Sequence, residues 1–436
     1  INTDFIDNSA GVDTSDHEVN IKILLDAEVA AGRISEQERD ELLPAMADDV
    51  ASLVLRHNHS QNLALANALS SDGPTAGVLE AWMCELEESG HLDRAVDTMP
   101  STTEMNRRMA AGERLASPEL CTLLAWTKIA LCDAVLATDL PEDPFVADRL
   151  VGYFPPLLRE RFTERMPTHR LHREIITTEA VNRFVDSQGI TAYYRLHLQT
   201  GADIAQVIRC QLAARSVFGL GRVETDLTHL GLDAVRTAKI RLALTDLAMH
   251  ATRWFLNHGG ADDIAGTIET YRPGVATLVE KLSERLLGDS ADAWQEKVDE
   301  VTELGLDRSD AAVVAAYDWS PVLLSIVEIS EEGHPLDEVA DAYLTLARRV
   351  DMIRLTRLVE QLPQDRPTDA RVRASLREDL LRVMSDATRR AVVIGTDNVL
   401  ADGGRIVKSI AANPDLAHCV VMVSDLRSAV GQEVTL

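Results

Sequence analysis

Aromatic residues make up only 4% of this 436-residue chain, so few stacked rings exist to line a planar cofactor pocket. Cysteine is scarce too. Cys84, Cys121, Cys132, Cys210 and Cys419 are odd in number, and no pair has C-x-x-C spacing. Most lie in apolar helical patterns and read as reduced, buried thiols of a cytoplasmic protein. Positive charge is in deficit: 43 Lys and Arg stand against 70 Asp and Glu, a net charge of −27. That balance argues against nucleic acid and anionic membrane as partners, since both need clustered positive charge. No run of about 18 apolar residues occurs, so no transmembrane helix is expected. The chain also lacks a strand followed by G-x-G-x-x-G and a helix. Gly219-Leu220-Gly221 follows a helical pattern and has no third glycine, and Gly403-Gly404 has no strand before it. Both read as helix ends.

What is present is helical period almost throughout. Hydrophobic residues are 46% and charged residues 26%, an ordinary globular balance. Met46, Val50, Leu53 and Val54 mark one face of a helix from Ala45 to Leu69. Ile240, Leu244, Leu247, Ala251 and Trp254 mark another, from Asp233 to Asn257, ended by Gly259-Gly260. Ser117-Pro118, Ser320-Pro321 and His334-Pro335 open further helices with proline in the first turn. The helix after Ser117 is apolar on most sides and is expected to be buried. Only Ala391–Ile394 and Cys419–Val423 look strand-like, and runs so short cannot be told from helix turns by period. The loop Ser70-Ser71-Asp72-Gly73-Pro74 is the first clear boundary.

The stretch at residues 2–25 is the most informative. Asp4-Phe5-Ile6-Asp7 reads as the end of a strand. Asn8 to Thr14 reads as a loop of small and turn-forming residues. Ser15 and Glu18 form the S-x-x-E pattern of a capping box, predicting a helix from Ser15 with Val19, Ile23, Leu24 and Ala30 inward and Gly32 as its left-handed end. A strand, a loop and a helix N-terminus together make an anion site for a carboxylate or phosphate. Each residue also has a plain structural reading. Ser15 caps a helix, Asn8 bonds its own turn, and Gly11 supplies a positive φ.

The wording Asn8-Ser9-Ala10-Gly11-Val12-Asp13-Thr14-Ser15 resembles the substrate loop of glutamate dehydrogenases, most closely the NAD-specific class with very large subunits. The smaller enzymes read Asn-Ala-Gly-Gly-Val, two residues, then Ser. Ser9, Ala10 and Asp13 depart from that pattern. LAWTKIALCDAVLATDLPEDP (124–144), YFPPLLRERF (153–162), HRLHREIITT (169–178), ATRWFL (251–256) and RPGV (272–275) are similar to the helical region that follows the catalytic domain in the bacterial enzymes. The likeness continues more weakly at Asp415 to Ser428.

The resemblance implies a mainly α fold: a multi-helix C-terminal domain over residues 71–436, preceded at residues 1–70 by the strand-loop-helix tail of an α/β catalytic domain. It implies that Asn8 contacts the nicotinamide nucleotide of NAD. Gly11, Val12 and Ser15 would bind L-glutamate or 2-oxoglutarate, with the Ser15 hydroxyl on the γ-carboxylate. The dinucleotide core and the catalytic lysine and aspartate would lie before Ile1, in the rest of the same polypeptide, so no catalytic residue is expected in this chain. A homo-oligomer follows by the same implication, as a tetramer. The other reading, favoured for residues 71–436 by themselves, is a helical scaffold or regulatory module without chemistry.

No metal site is expected. His57 with His59, and His169 with His172, have loose ligand-like spacing but no third ligand of motif type, and read as surface or packing histidines. Arg159, Arg161, Arg165, Arg170 and Arg173 interleave with Glu160, Glu164 and Glu174 and read as an ion-pair face.

Overall fold

The computed structural model describes residues 2–70, 75–232, 234–362, 367–400 and 415–431, and among these every regular element is a helix. The chain divides into two compact units. One comprises residues 1–195 with 203–209, the other residues 196–202 with 210–436.

The first unit begins with α1 (Asp4–Asp7), α2 (Ser9–Ala30), α3 (Glu36–Ala45) and α4 (Ala47–Leu69). It continues with α5 (Ala76–Glu88), α6 (Thr102–Ala110) and α7 (Ser117–Leu136), then short α8 (Pro144–Ala147), α9 (Arg149–Tyr153) and α10 (Pro156–Phe162), and α11 (His172–Gln188). α2 packs on α4, α4 packs on α7 and α11, and α11 packs on α9. Met46, Val50, Leu53 and Val54 are all buried, as their spacing predicts. α7 buries Leu120, Cys121, Leu123, Leu124, Thr127, Leu131 and Val135. Its cap differs from expectation in detail. Ala116 is the N-cap residue, and the Glu119 carboxylate accepts from its backbone N–H at 2.7 Å.

The expected strand-loop-helix at the start is not what forms. Asp4–Asp7 is a helical turn, and α2 begins at Ser9 rather than Ser15. An isolated strand has no ladder for its backbone groups, and no partner strand exists among the described residues. Asp4 and Asp7 instead sit in the first turn of a helix, where acidic side chains complement the dipole. The buried face, set by packing on α4, differs from the expected one. Val19 and Ala30 are exposed, while His17, Asn20, Ile21, Leu24, Leu25 and Glu28 face inward. Gly32, at φ +69°, ends α2 as expected, with the Arg33 N–H donating back to Glu28 O at 3.0 Å.

The second unit is built around the helix Ser320–Glu331, which touches the helices Ala234–Asn257, Ile264–Arg285, Leu336–Arg349 and Pro367–Ile394. Every residue from Ser320 to Val327 is buried. The wider stretch Arg308–Glu331 is long and apolar enough to cross a membrane by length and composition, yet 67% of its most apolar window is buried. It is a core element, broken by a 3-10 turn at Ala316–Trp319. Ile240, Leu244, Leu247, Ala251 and Trp254 are all buried along one face of Ala234–Asn257. Both strand-like runs are helical: Ala391–Ile394 ends the helix Pro367–Ile394, and Cys419–Val423 lies within Leu416–Gly431. Val393, Val420 and Val421 are exposed, so these runs are helix faces rather than buried strands.

Candidate functional site

The junction of α1 and α2 is held by amide side chains from α4. Asn58 Nδ2 donates to Ile6 O at 3.0 Å and to Ser9 Oγ at 2.8 Å. Gln61 Nε2 donates to the same Oγ at 2.8 Å. Asn2 Nδ2 donates to Asn62 Oδ1 at 2.8 Å, and Asn2 Oδ1 accepts from Ser117 Oγ at 2.6 Å. These tertiary bonds start the helix at Ser9 although Gly11, Asp13 and Thr14 are poor helix formers, a case of context overriding propensity.

Asn8, Gly11, Val12 and Ser15 therefore fall at i, i+3, i+4 and i+7 of one helical path, so they form a single stripe. All four are exposed, Val12 to 75%. Their local structure differs from the expected loop and cap. Ser15 does not cap a helix. It lies in the second turn of α2, and its hydroxyl donates to Val12 O at 2.7 Å. Asn8 is the residue before the helix but makes no side-chain cap bond. Gly11 is helical rather than left-handed, and a Cβ there would meet only Asn8 Oδ1, at 4.0 Å. An anion site at a helix start on Ser15 is thus replaced by an open, lightly functionalised helix face.

Behind that stripe the opposite face of α2 carries a partly buried polar cluster that spacing alone did not reveal. His17 is fully buried, stacked on Tyr153 at 4.3 Å and on His57 at 5.6 Å between ring centres. Neither of its ring nitrogens has a hydrogen bond, and Nε2 stops 3.9 Å from Asp13 Oδ1. Burial lowers its pKa, against the pull of Asp13. His57 Nδ1–H donates to the other Asp13 oxygen at 3.0 Å, and its Nε2 lies 3.9 Å from Glu179. Burial works to lower the His57 pKa, but the Asp13 bond and the Asp13 and Glu179 charges more than offset it, so it rises. Glu179, on α11, is pushed up by burial. The Tyr153 hydroxyl donates to Asp16 Oδ2 at 2.8 Å and accepts from Asn20 Nδ2 at 2.8 Å, while burial holds the phenol far above its usual range. The usable signal was Asp13 and His17, four apart on one helix. His57 could not be linked to them without the packing of α2 on α4.

The other sequence candidates have structural uses. His169 Nε2–H donates to Asn20 O at 3.0 Å, its Nδ1 accepts from Leu171 N–H at 3.1 Å, and His172 donates to His169 O. His59 is exposed. Arg161 pairs with Glu38, and Arg173 pairs with Glu142 and donates to the carbonyls of Leu136 and Thr138. Arg159 donates to Phe154 O. The partners of Arg161 and Arg173 are distant in sequence and that of Arg159 is a backbone carbonyl five residues back, rather than the interleaved glutamates expected from helical spacing. Gly219, at φ +64°, precedes a helix at Leu220–His229 and follows another. The Gly403-Gly404 pair lies outside the described residues.

Residues 112–433 match the family described as "Glutamate dehydrogenase, C-terminal". Residues 1–68 match "Bacterial NAD-glutamate dehydrogenase, catalytic domain". Curated relatives named "NAD-specific glutamate dehydrogenase" include one from Pseudomonas aeruginosa, 34% identical over 100% of this chain and 27% of its own length. Another, from Mycobacterium tuberculosis, is 35% identical over 91% of this chain and 24% of its own. A third, from Halomonas elongata, is 33% identical over 91% and 25%. The chain thus spans about a quarter of the length of the curated relatives it matches.

Proposed function

Because this chain belongs to the glutamate dehydrogenase C-terminal family, we propose that it serves as the C-terminal part of an NAD-dependent glutamate dehydrogenase, with α2 presenting its exposed stripe to the reactants. The whole enzyme would oxidatively deaminate L-glutamate to 2-oxoglutarate and ammonium, with NAD accepting the hydride. The observation that carries the reading is that Asn8, Gly11, Val12 and Ser15 share one exposed helical path. Asn8 reaches the nicotinamide nucleotide, Val12 and Gly11 flank the substrate chain, and Ser15 binds the γ-carboxylate. A rotation about χ1 would move the Ser15 hydroxyl proton from Val12 O to that carboxylate, a charge-assisted bond that strengthens as water leaves. The residues fit a single cofactor contact. The dinucleotide fold and the proton-transferring groups belong to the rest of the polypeptide. α7 and α11 brace α4, and the helices after residue 70 build a cytoplasmic homo-oligomer, a tetramer by resemblance.

Ser15→Ala in the intact enzyme tests this reading. Losing a hydrogen bond to a charged group should lower kcat/KM for glutamate by about 1.5–3 kcal/mol, roughly 10- to 150-fold. Ser15 is exposed and caps nothing, so melting should be unchanged or slightly raised by the better helix former. An enzyme with unaltered kcat/KM would remove the stripe from the substrate pocket.

A further inference from the structure

We propose that Asp13, His17 and His57 form a binding site for one divalent transition-metal ion, Zn2+ foremost, that clamps α2 to α4. One ligand atom from each of the three residues lies within 4.8 Å of the others. A tetrahedral ion about 2.0–2.1 Å from each nitrogen and oxygen needs donors about 3.3 Å apart. Closing the present spacing to that value requires side-chain rotations of His17 and His57, whose helices are already in contact.

The second observation is the state of His17. It is wholly buried, and both its nitrogens are without a hydrogen bond although a carboxylate stands 3.9 Å away. A buried polar ring left in this way is costly, and a metal bond would satisfy it. Its burial also favours the neutral imidazole, the form with a free lone pair for a metal. Two imidazoles and one carboxylate suit zinc, cobalt or nickel, whereas magnesium and calcium prefer oxygen alone. The surroundings have the form expected around such a centre. The far nitrogen of His57 faces the Glu179 carboxylate, at 3.9 Å, the carboxylate-histidine pairing that orients metal-bound imidazoles. On the other side the Tyr153 ring covers His17, held by its bonds to Asp16 and Asn20. Three protein ligands leave a fourth position for water. The ion sits behind the exposed stripe, so it would steady the helix that carries Ser15 without touching a substrate.

The test counts metal in the intact protein after stripping with a chelator and re-equilibration with Zn2+. His17→Gln and Asp13→Asn should each bind one equivalent fewer than the parent, while His59→Gln, altering an exposed histidine nearby, should bind the full number. Co2+ in place of zinc should give a visible tetrahedral ligand-field band in the parent that weakens by the same equivalent in both variants. Circular dichroism identifies a variant that has failed to fold. Should His17→Gln do so, His57→Gln and Asp13→Asn decide the matter. Equal zinc in the parent and the folded variants would overturn the proposal, as would a parent that retains no zinc. Neither result depends on glutamate turnover, so the site stands or falls apart from the assignment of the substrate stripe.

Discussion

His258 shows how one residue can carry a measurable share of stability. Its Nδ1 lies 2.9 Å from Glu328, and its Nε2 lies 3.3 Å from Glu378 at an angle poor for hydrogen bonding. Its ring stacks on Trp254 at 4.1 Å. Burial would lower its pKa, but the two carboxylates win and push it up to about 9. Folding therefore takes up a proton at this site. The stabilisation is complete below the unfolded value of about 6.5 and is lost as pH rises through about 9. That rise in pKa corresponds to roughly 3 kcal/mol. His258→Gln should therefore destabilise the protein strongly at pH 6 and much less at pH 10, read as the urea midpoint across that range. The histidine proton resonance that disappears in the variant should titrate near pH 9 in the parent. A midpoint near 6.5 would show that the carboxylates do not hold the proton.

At the scale of an element, Gly274 governs how closely two helices approach. It sits within Ile264–Arg285, and a Cβ there would meet Val327 Cγ2 at 2.7 Å and Cγ1 at 3.2 Å. Val327 is buried and β-branched, so its methyls cannot swing aside. Gly274→Ala should gain about 1 kcal/mol of helix propensity and lose more, since overpacking costs about 1–3 kcal/mol. The net effect should be a lower melting temperature. Val327→Ala in the same chain should recover part of it, giving a positive coupling of about 1 kcal/mol in a double-mutant cycle. Simple additivity would mean that the helices separate freely. α2 teaches a related lesson about elements. Its S-x-x-E pattern at Ser15 is genuine as a pattern, but the amides of Asn58 and Gln61 seize Ser9 first. Ser15 thereby becomes an interior residue of the helix.

At the scale of the whole molecule, the seam between the two matched families, which end at residue 68 and begin at residue 112, falls inside the first compact unit. α2 and α4 come from the catalytic side of that seam, and α7, α9 and α11 come from the other. Tyr153 on α9 covers His17, and α4 packs on α7 and α11. Truncating the intact enzyme after Ser70 should therefore uncover the side of α4 that packs on α7 and α11. Assembly mass by light scattering and NAD reduction with glutamate are expected to fall together. An enzyme that kept its assembly mass, scaled for the deletion, but lost turnover would point to a direct catalytic role for the C-terminal helices.

The helical class, the apolar faces led by Met46 and Ile240, and the family were legible from residue order alone. Period, composition and motif wording are local properties that survive without a fold. The four stripe residues were also named from the sequence, but their arrangement was not. A loop and a capped helix were expected where the chain continues as one helix, because the deciding hydrogen bonds come from Asn58 and Gln61, some fifty residues away in sequence. The short apolar runs at Ala391 and Cys419 were ambiguous for the same reason: a few residues carry too little period to separate strand from helix, and only the neighbours available for packing settle it. The cluster of Asp13, His17 and His57 belongs wholly to tertiary structure. Asp13 and His17 share α2, and only the packing of α2 on α4 brings His57 within reach of both.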